Sequence, residues 1–308
     1  MDTDTLGRRR RTAAQPLGQT IVLTGRDKKL LAGLRRHSPL PTHLAFEFWR
    51  DGAQAHFNSF QDRMKKLFHG TDRMRPLVER PPELNPLVGS NYEPAWYQLS
   101  PFGEQLAPDV TAPLRRRDPL HHRGMGACAT ASFELLAGAH GLRFVHREEI
   151  FSHPKAPPAL RAANNPLAIA GYEPDDLFGF ERAGKFSFYV AEFDRGTESF
   201  TREDKLQTSV AQKIDKLTAI FSTRTYQAAW GIPNLKAMFL FTSERRVARA
   251  LQYVEGTPHA DRFLFKAFPT FERFAWRAPR EPMADLFTPW QSTAGAQDGG
   301  RSLRAIAP

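Results

Sequence analysis

The stretch EPDDLFGFERAGKFSFYVAEFDRGTE, residues 173–198, decides how the second half of the chain folds. It holds two extended runs, Asp175 to Phe180 and Phe186 to Asp194, parted by the short turn signal Arg182-Ala183-Gly184. Runs rich in Phe, Tyr and Val bounded by such a turn read as neighbouring antiparallel strands. Side chains alternate along a strand, so Glu192 and Asp194 share one face, and Asp175 opens the strand beside them. Three carboxylates at one strand end repel each other unless a cation neutralises them. Hard oxygen donors suit Mg²⁺ or Mn²⁺, and such an ion activates water and offsets charge on a phosphodiester. A plainer reading stands beside this one. The acids cap strands and pair with nearby Lys or Arg, and Asp194-Arg195-Gly196-Thr197-Glu198 is a polar turn.

Working outward, the same half reads as helix and strand in regular order. A helix is expected over about Gly126 to Ala139, then a strand over Leu142 to Arg147. After the hairpin, Leu206, Val210, Ile214, Leu217 and Phe221 form the apolar face of a helix from about Arg202 to Thr223. A strand Ala237–Phe241, a helix capped near Ser243 and a strand Arg262–Lys266 complete an α-β-β-β-α-β-α-β series over residues 126–287. Residues 288–308 are rich in Gly, Ser and Gln and read as a disordered tail.

The first half is helical. Thr24 with Asp27 three residues on is an N-cap signature, followed by an apolar face of Leu30, Leu31 and Leu34. Thr42 starts a second helix with Leu44, Ala45 and Phe48 inward. A third runs from Phe57 to His69, with Phe60, Met64, Leu67 and Phe68 on one stripe. Its other face offers Gln61, Arg63, Lys65 and Lys66. Extended pieces near Pro76–Glu79 and Ala95–Leu99 then suggest a hairpin. Three helices and a hairpin over residues 21–110 are the winged helix-turn-helix order. In it Gln61 and Arg63 would read bases, and Lys65 and Lys66 would meet phosphates; a merely solvated helix face explains the same four residues. Residues 1–20, with Arg8, Arg9, Arg10 and Arg11, read as a disordered basic arm able to track phosphates, and residues 111–125 as a linker. His121 and His122 lie in that linker and lack a nearby Cys or carboxylate, which favours a decorated loop over a metal site.

The charge balance points to a polyanion. The chain carries 43 Lys+Arg against 33 Asp+Glu, a net +10, and such a surplus favours nucleic acid. One cysteine, Cys128, excludes an internal disulfide and a Cys-based zinc site. No apolar run approaches the ~18 residues of a membrane span, and the polar start lacks a signal peptide, so a cytoplasmic protein without membrane association is expected.

Taken together, a Pro-Asp followed by an acidic-x-acidic pair on the next strand, Pro174-Asp175 and Glu192-Phe193-Asp194, resembles the PD-(D/E)xK restriction-endonuclease-like superfamily. The resemblance implies Asp175 and Glu192 as metal-binding acids. Asp194 stands where the superfamily carries the lysine that helps position the attacking water, and Lys205, Lys213 or Lys216 on the following helix would have to replace it. With the entry Leu23-Thr24-Gly25-Arg26-Asp27, the exit Tyr97-Gln98-Leu99 and the run from Glu192 to Glu198, the chain resembles the replication-relaxation family of plasmid and mobile-element proteins. That family implies a role in plasmid or mobile-element replication, DNA relaxation or their regulation.

Two functions follow as expectations. One is a DNA-binding protein without turnover, with a homodimer left open. The other is a Mg²⁺- or Mn²⁺-dependent DNA endonuclease or nicking enzyme using Asp175, Glu192 and Asp194, with Lys205 or Lys213 as charge partner. An effector domain for RNA or a small molecule on a DNA-binding repressor is a third option.

Overall fold

The computed structural model describes residues 14–18, 20–81, 95–107, 119–161, 163, 165–196, 200, 209–271, 278–293, 302–304 and 306. The arginines at 8–11, the residue Lys205 and residues 82–94 lie outside them. The chain is mixed α+β and divides into two compact units, residues 1–135 with 277–283, and residues 136–276 with 284–308. No helix among the described residues is long and apolar enough to cross a membrane.

The first unit begins with α1 (Gly25–Arg36), whose N-terminus Thr24 and Asp27 close with a reciprocal capping box. Helices α2 (Thr42–Arg50) and α3 (Phe57–His69) follow. Phe60, Met64, Leu67 and Phe68 are buried as their spacing requires. Strands β1 (Leu40–Pro41), β2 (Val78–Glu79) and β3 (Trp96–Leu99) form a small antiparallel sheet with β3 in the middle. Ser100 then caps α4 (Pro101–Leu106). Gly103 is obligatory there, because a Cβ would run into the Leu77 carbonyl oxygen.

Helix α5 (Leu120–Ala137) corrects the linker boundary. Residues 120–125 are helical, and His121 and His122 occupy the first turn. The Pro119 carbonyl accepts from His122 N at 2.9 Å and Arg123 N at 3.1 Å. The proline therefore starts a helix, where its missing N–H costs nothing, instead of ending one.

The second unit is built on a seven-stranded sheet in the order β10-β9-β8-β7-β6-β5-β4. Its strands are β4 (Arg143–Val145), β5 (Asp176–Arg182), β6 (Lys185–Asp194), β7 (Lys236–Phe241), β8 (Phe263–Ala267), β9 (Trp290–Ser292) and β10 (Ser302–Arg304). The central β6, β7 and β8 run parallel, and the outer pairings are antiparallel. Short helices α6 (Arg147–Ser152) and α7 (Pro158–Arg161) lead to β5, and α8 (Val210–Thr223) and α9 (Thr225–Trp230) link β6 to β7. Helix α10 (Glu244–Val254) links β7 to β8. Val190, Phe239, Phe241, Phe263 and Phe265 share one buried cluster with Ile214, Leu217 and Phe221 of α8 and Val247 and Leu251 of α10.

Two expectations need adjustment. Ser209 is extended and makes a capping box with Gln212, so α8 starts at Val210 and not at Arg202. The stretch 288–308 is not wholly a tail, since it supplies β9 and β10. Trp290 is fully buried and its indole N–H donates to Leu286 O at 2.8 Å. A single large aromatic anchors a segment whose average composition reads as polar.

Candidate active site

The hairpin register builds the site. Asp176 pairs with Ala191, so Asp175 stands opposite Glu192 on the face that carries Leu177 and Val190. Asp175 N donates to Ala191 O at 3.1 Å, and Phe193 N donates to Asp175 Oδ2 at 2.8 Å. Asp176, one residue on, points to the opposite face and pairs with Arg147 at 3.1 Å.

Helix α8 supplies the cation. Val210, Ile214, Leu217 and Phe221 turn its apolar stripe to the sheet, and Lys213 flanks that stripe. Lys213 Nζ lies 2.8 Å from Glu192 Oε2, and its side chain is only 12% exposed. Glu192 Oε1 accepts from the Tyr172 hydroxyl. Tyr172 closes a tight turn with Ile169 in which Ala170 (φ 48°) and Gly171 (φ 71°) are both left-handed. Lys216 Nζ donates to Gly171 O at 2.9 Å and ties that turn to α8.

Glu192 is 1% exposed. Burial and the neighbouring Asp175 charge push its carboxyl up to about 7, against the opposing pull of Lys213 and Tyr172. Glu192 thus holds its proton more firmly than a solvated carboxyl, with the Lys213 ammonium on one side and the Asp175 charge on the other. Such an arrangement takes up either a proton or a cation.

The third acid goes elsewhere. Asp194 Oδ2 accepts from Arg246 Nε at 2.5 Å, with Arg246 also ion-paired through its Nη2, and Asp194 Oδ1 accepts from Gly196 N at 2.8 Å. The expected three-carboxylate cluster is therefore a pair, Asp175 and Glu192, with Asp194 drawn to α10. Of the three candidate lysines, Lys213 reaches Glu192, Lys216 holds the turn, and Lys205 falls outside the described residues.

The DNA-facing assignments of α3 divide. Gln61 and Lys65 are exposed and Lys66 is half-buried. Lys65 pairs with Asp62 at 3.1 Å, both well exposed, an arrangement of small energetic consequence. Arg63 does not face outward as a base reader would. Its Nε and Nη2 donate to Asp27 at 2.9 and 2.5 Å, and Nη2 also reaches Val22 O at 2.6 Å. Asp27 is fully buried and would be costly without that cation.

Tyr172 and Arg246 were not singled out by the sequence. Tyr172 sits in Gly171-Tyr-Glu-Pro-Asp, three residues before Asp175, which is the one local hint. Cys128 is buried and burial pushes its thiol up, which removes it as a nucleophile. No family model, curated protein or solved structure matches this chain.

Proposed function

We propose that the chain is a DNA-processing protein whose second unit is a restriction-endonuclease-like domain that hydrolyses phosphodiesters with Mg²⁺ or Mn²⁺. One observation carries this reading: Lys213 Nζ lies 2.8 Å from Glu192, across the hairpin register from Asp175. Acid, acid and lysine are the three charges this chemistry uses, with the lysine supplied by α8 because Asp194 holds the usual position. Asp175 and Glu192 would hold the ion, which when bound polarises the phosphodiester and lowers the pKa of water. Glu192 must give up its proton to accept a cation, and its burial beside Asp175 makes that proton the competitor of the ion. The Lys213 ammonium then offers positive charge beside the acids, where negative charge grows on a phosphoryl oxygen.

The partner is DNA, on the strength of the net +10 charge and a first unit whose three helices and small sheet follow a winged helix-turn-helix order. The replication-relaxation resemblance supplies the setting, replication or relaxation of plasmid or mobile-element DNA in the cytoplasm.

A second reading, DNA binding without turnover, draws on the near-complete burial of Glu192 under Tyr172. Supercoiled plasmid incubated with the protein separates the two. Nicking with Mg²⁺ or Mn²⁺ that disappears in Glu192→Gln and Lys213→Ala supports the nuclease. Intact DNA in both metals, with a normal gel shift, leaves the binding reading.

A further inference from the structure

The acid pair of the second unit is walled in unevenly. Glu192 is 1% exposed, whereas Asp175 beside it is half-buried. Both Glu192 oxygens are engaged: Oε1 accepts from the Tyr172 hydroxyl, and Oε2 faces the Lys213 ammonium at 2.8 Å. A cation arriving from solvent therefore meets Asp175 first and reaches Glu192 only after part of the wall moves.

The parts of that wall are held differently. Strand β6 lies between β5 and β7, and α8 is fixed through Ile214, Leu217 and Phe221 in the core. The turn from Ile169 to Tyr172 is closed on itself, with Ile169 N donating to Tyr172 O and Tyr172 N to Ile169 O, both at 2.8 Å. It therefore moves as one piece. Its tip, Ala170 and Gly171, is exposed. Side-chain bonds tie it across the site, Tyr172 to Glu192 inside and Lys216 to Gly171 O at 2.9 Å outside. Lys216 is exposed, so water competes for the outer bond.

The chain is pinned on either side of the turn. The Trp230 indole donates to Pro166 O at 3.0 Å, and Asp175 N donates to Ala191 O at 3.1 Å. These pins are the natural pivots. Ile169 is buried, so opening uncovers apolar surface and the closed state is the resting one.

We infer that the turn Ile169–Tyr172 is a gate over the acid pair. Tyr172 on Glu192 bolts it inside and Lys216 on Gly171 bolts it outside, and it swings out before a divalent cation reaches Glu192. The inference rests on reading Asp175 and Glu192 as the cation site. Local opening of this kind controls access to a buried site without unfolding the sheet that carries it.

The test uses the full chain and reads cation uptake and gate opening separately. Ala170→Cys/Lys216→Cys places one thiol on the gate and one on α8, and Cys128 stays silent because it is buried. Free Mn²⁺ is followed by electron paramagnetic resonance, counting only the uptake that Asp175→Asn removes. Linking the two thiols with a short bismaleimide should lower that apparent affinity about tenfold or more against the same variant unlinked. Tyr172 nitration by tetranitromethane, read by mass spectrometry, should be slow in the parent and about fivefold faster in Lys216→Ala, the effect of one lost hydrogen bond on opening. Measurable but equal uptake in linked and unlinked protein overturns the gate and leaves the cation site standing. Nitration unchanged by Lys216→Ala also overturns it. No Mn²⁺ uptake in any form, with nitration still faster in Lys216→Ala, removes the cation reading and keeps the gate.

Discussion

Two buried carboxylates, Asp27 in the first unit and Glu192 in the second, meet opposite conditions. Both are essentially without solvent exposure. For Asp27, burial acts to raise the pKa, but donors from Arg63 and Thr24 outweigh it and hold the carboxyl below its ordinary value. Trp49 Nε1 adds a further contact at 3.3 Å. For Glu192 burial is joined by a second acid, and Lys213 and Tyr172 do not restore the balance. A fully served acid is a structural pin. An under-served acid facing another acid has capacity left for a ligand.

The largest effect that bears on this contrast should come from Arg63→Met. It strands the Asp27 charge and is expected to cost about 3–5 kcal/mol in urea denaturation at pH 7. Because the Asp27 carboxyl is depressed, its contribution is present above its unfolded value of 3.8 and lost as pH falls through the folded value. The deficit should therefore shrink near pH 3. A loss under about 1 kcal/mol at pH 7 would show that the pair is not a pin.

Next in size is the pH dependence of metal uptake. Mn²⁺ affinity, followed by calorimetry, should rise by up to about tenfold per pH unit below 7 and level off above it, since the ion competes with the Glu192 proton. Asp175→Asn should weaken it throughout. An affinity that ignores pH between 5 and 8 points to ions bound elsewhere.

Glu192→Gln tests the same acid through stability, with the sign opposite to that of Asp27. A carboxyl raised from 4.5 to about 7 favours the fold while protonated and costs stability as pH climbs through that interval. The variant should melt a few degrees above the parent at pH 8 and gain nothing near pH 4. Equal melting at pH 8 would mean that Lys213 fully neutralises the acid.

The smallest effect is expected from Tyr172→Phe. Losing one hydrogen bond costs about 1 kcal/mol and removes a donor that favours the charged Glu192. The midpoint of metal uptake should move upward by roughly half a pH unit; a downward shift would contradict the role given to the hydroxyl.

Features set by local spacing were legible in advance. The α3 stripe, the Thr24–Asp27 cap and the β5–β6 hairpin all follow from neighbours within a few residues, and the hairpin register placed Asp175 beside Glu192. Features set by long-range packing were hidden. Arg63 meets an acid 36 positions away, so its inward turn has no local mark. Lys213 and Lys216 look equivalent in sequence, and only the rotation of α8 on the sheet assigns one to Glu192 and the other to Gly171. Asp194 read as a ligand because its partner, Arg246, comes from a helix four elements later.

The late strands have a practical consequence. Composition invites trimming the chain after Phe287, yet that cut would remove Trp290 from the interior and strip β8 of its cover. The newly bare flank of a strand reading Phe-Leu-Phe would be open to other chains. A shortened protein of this kind should come out of expression as aggregate, and any fusion partner is better placed at the other end.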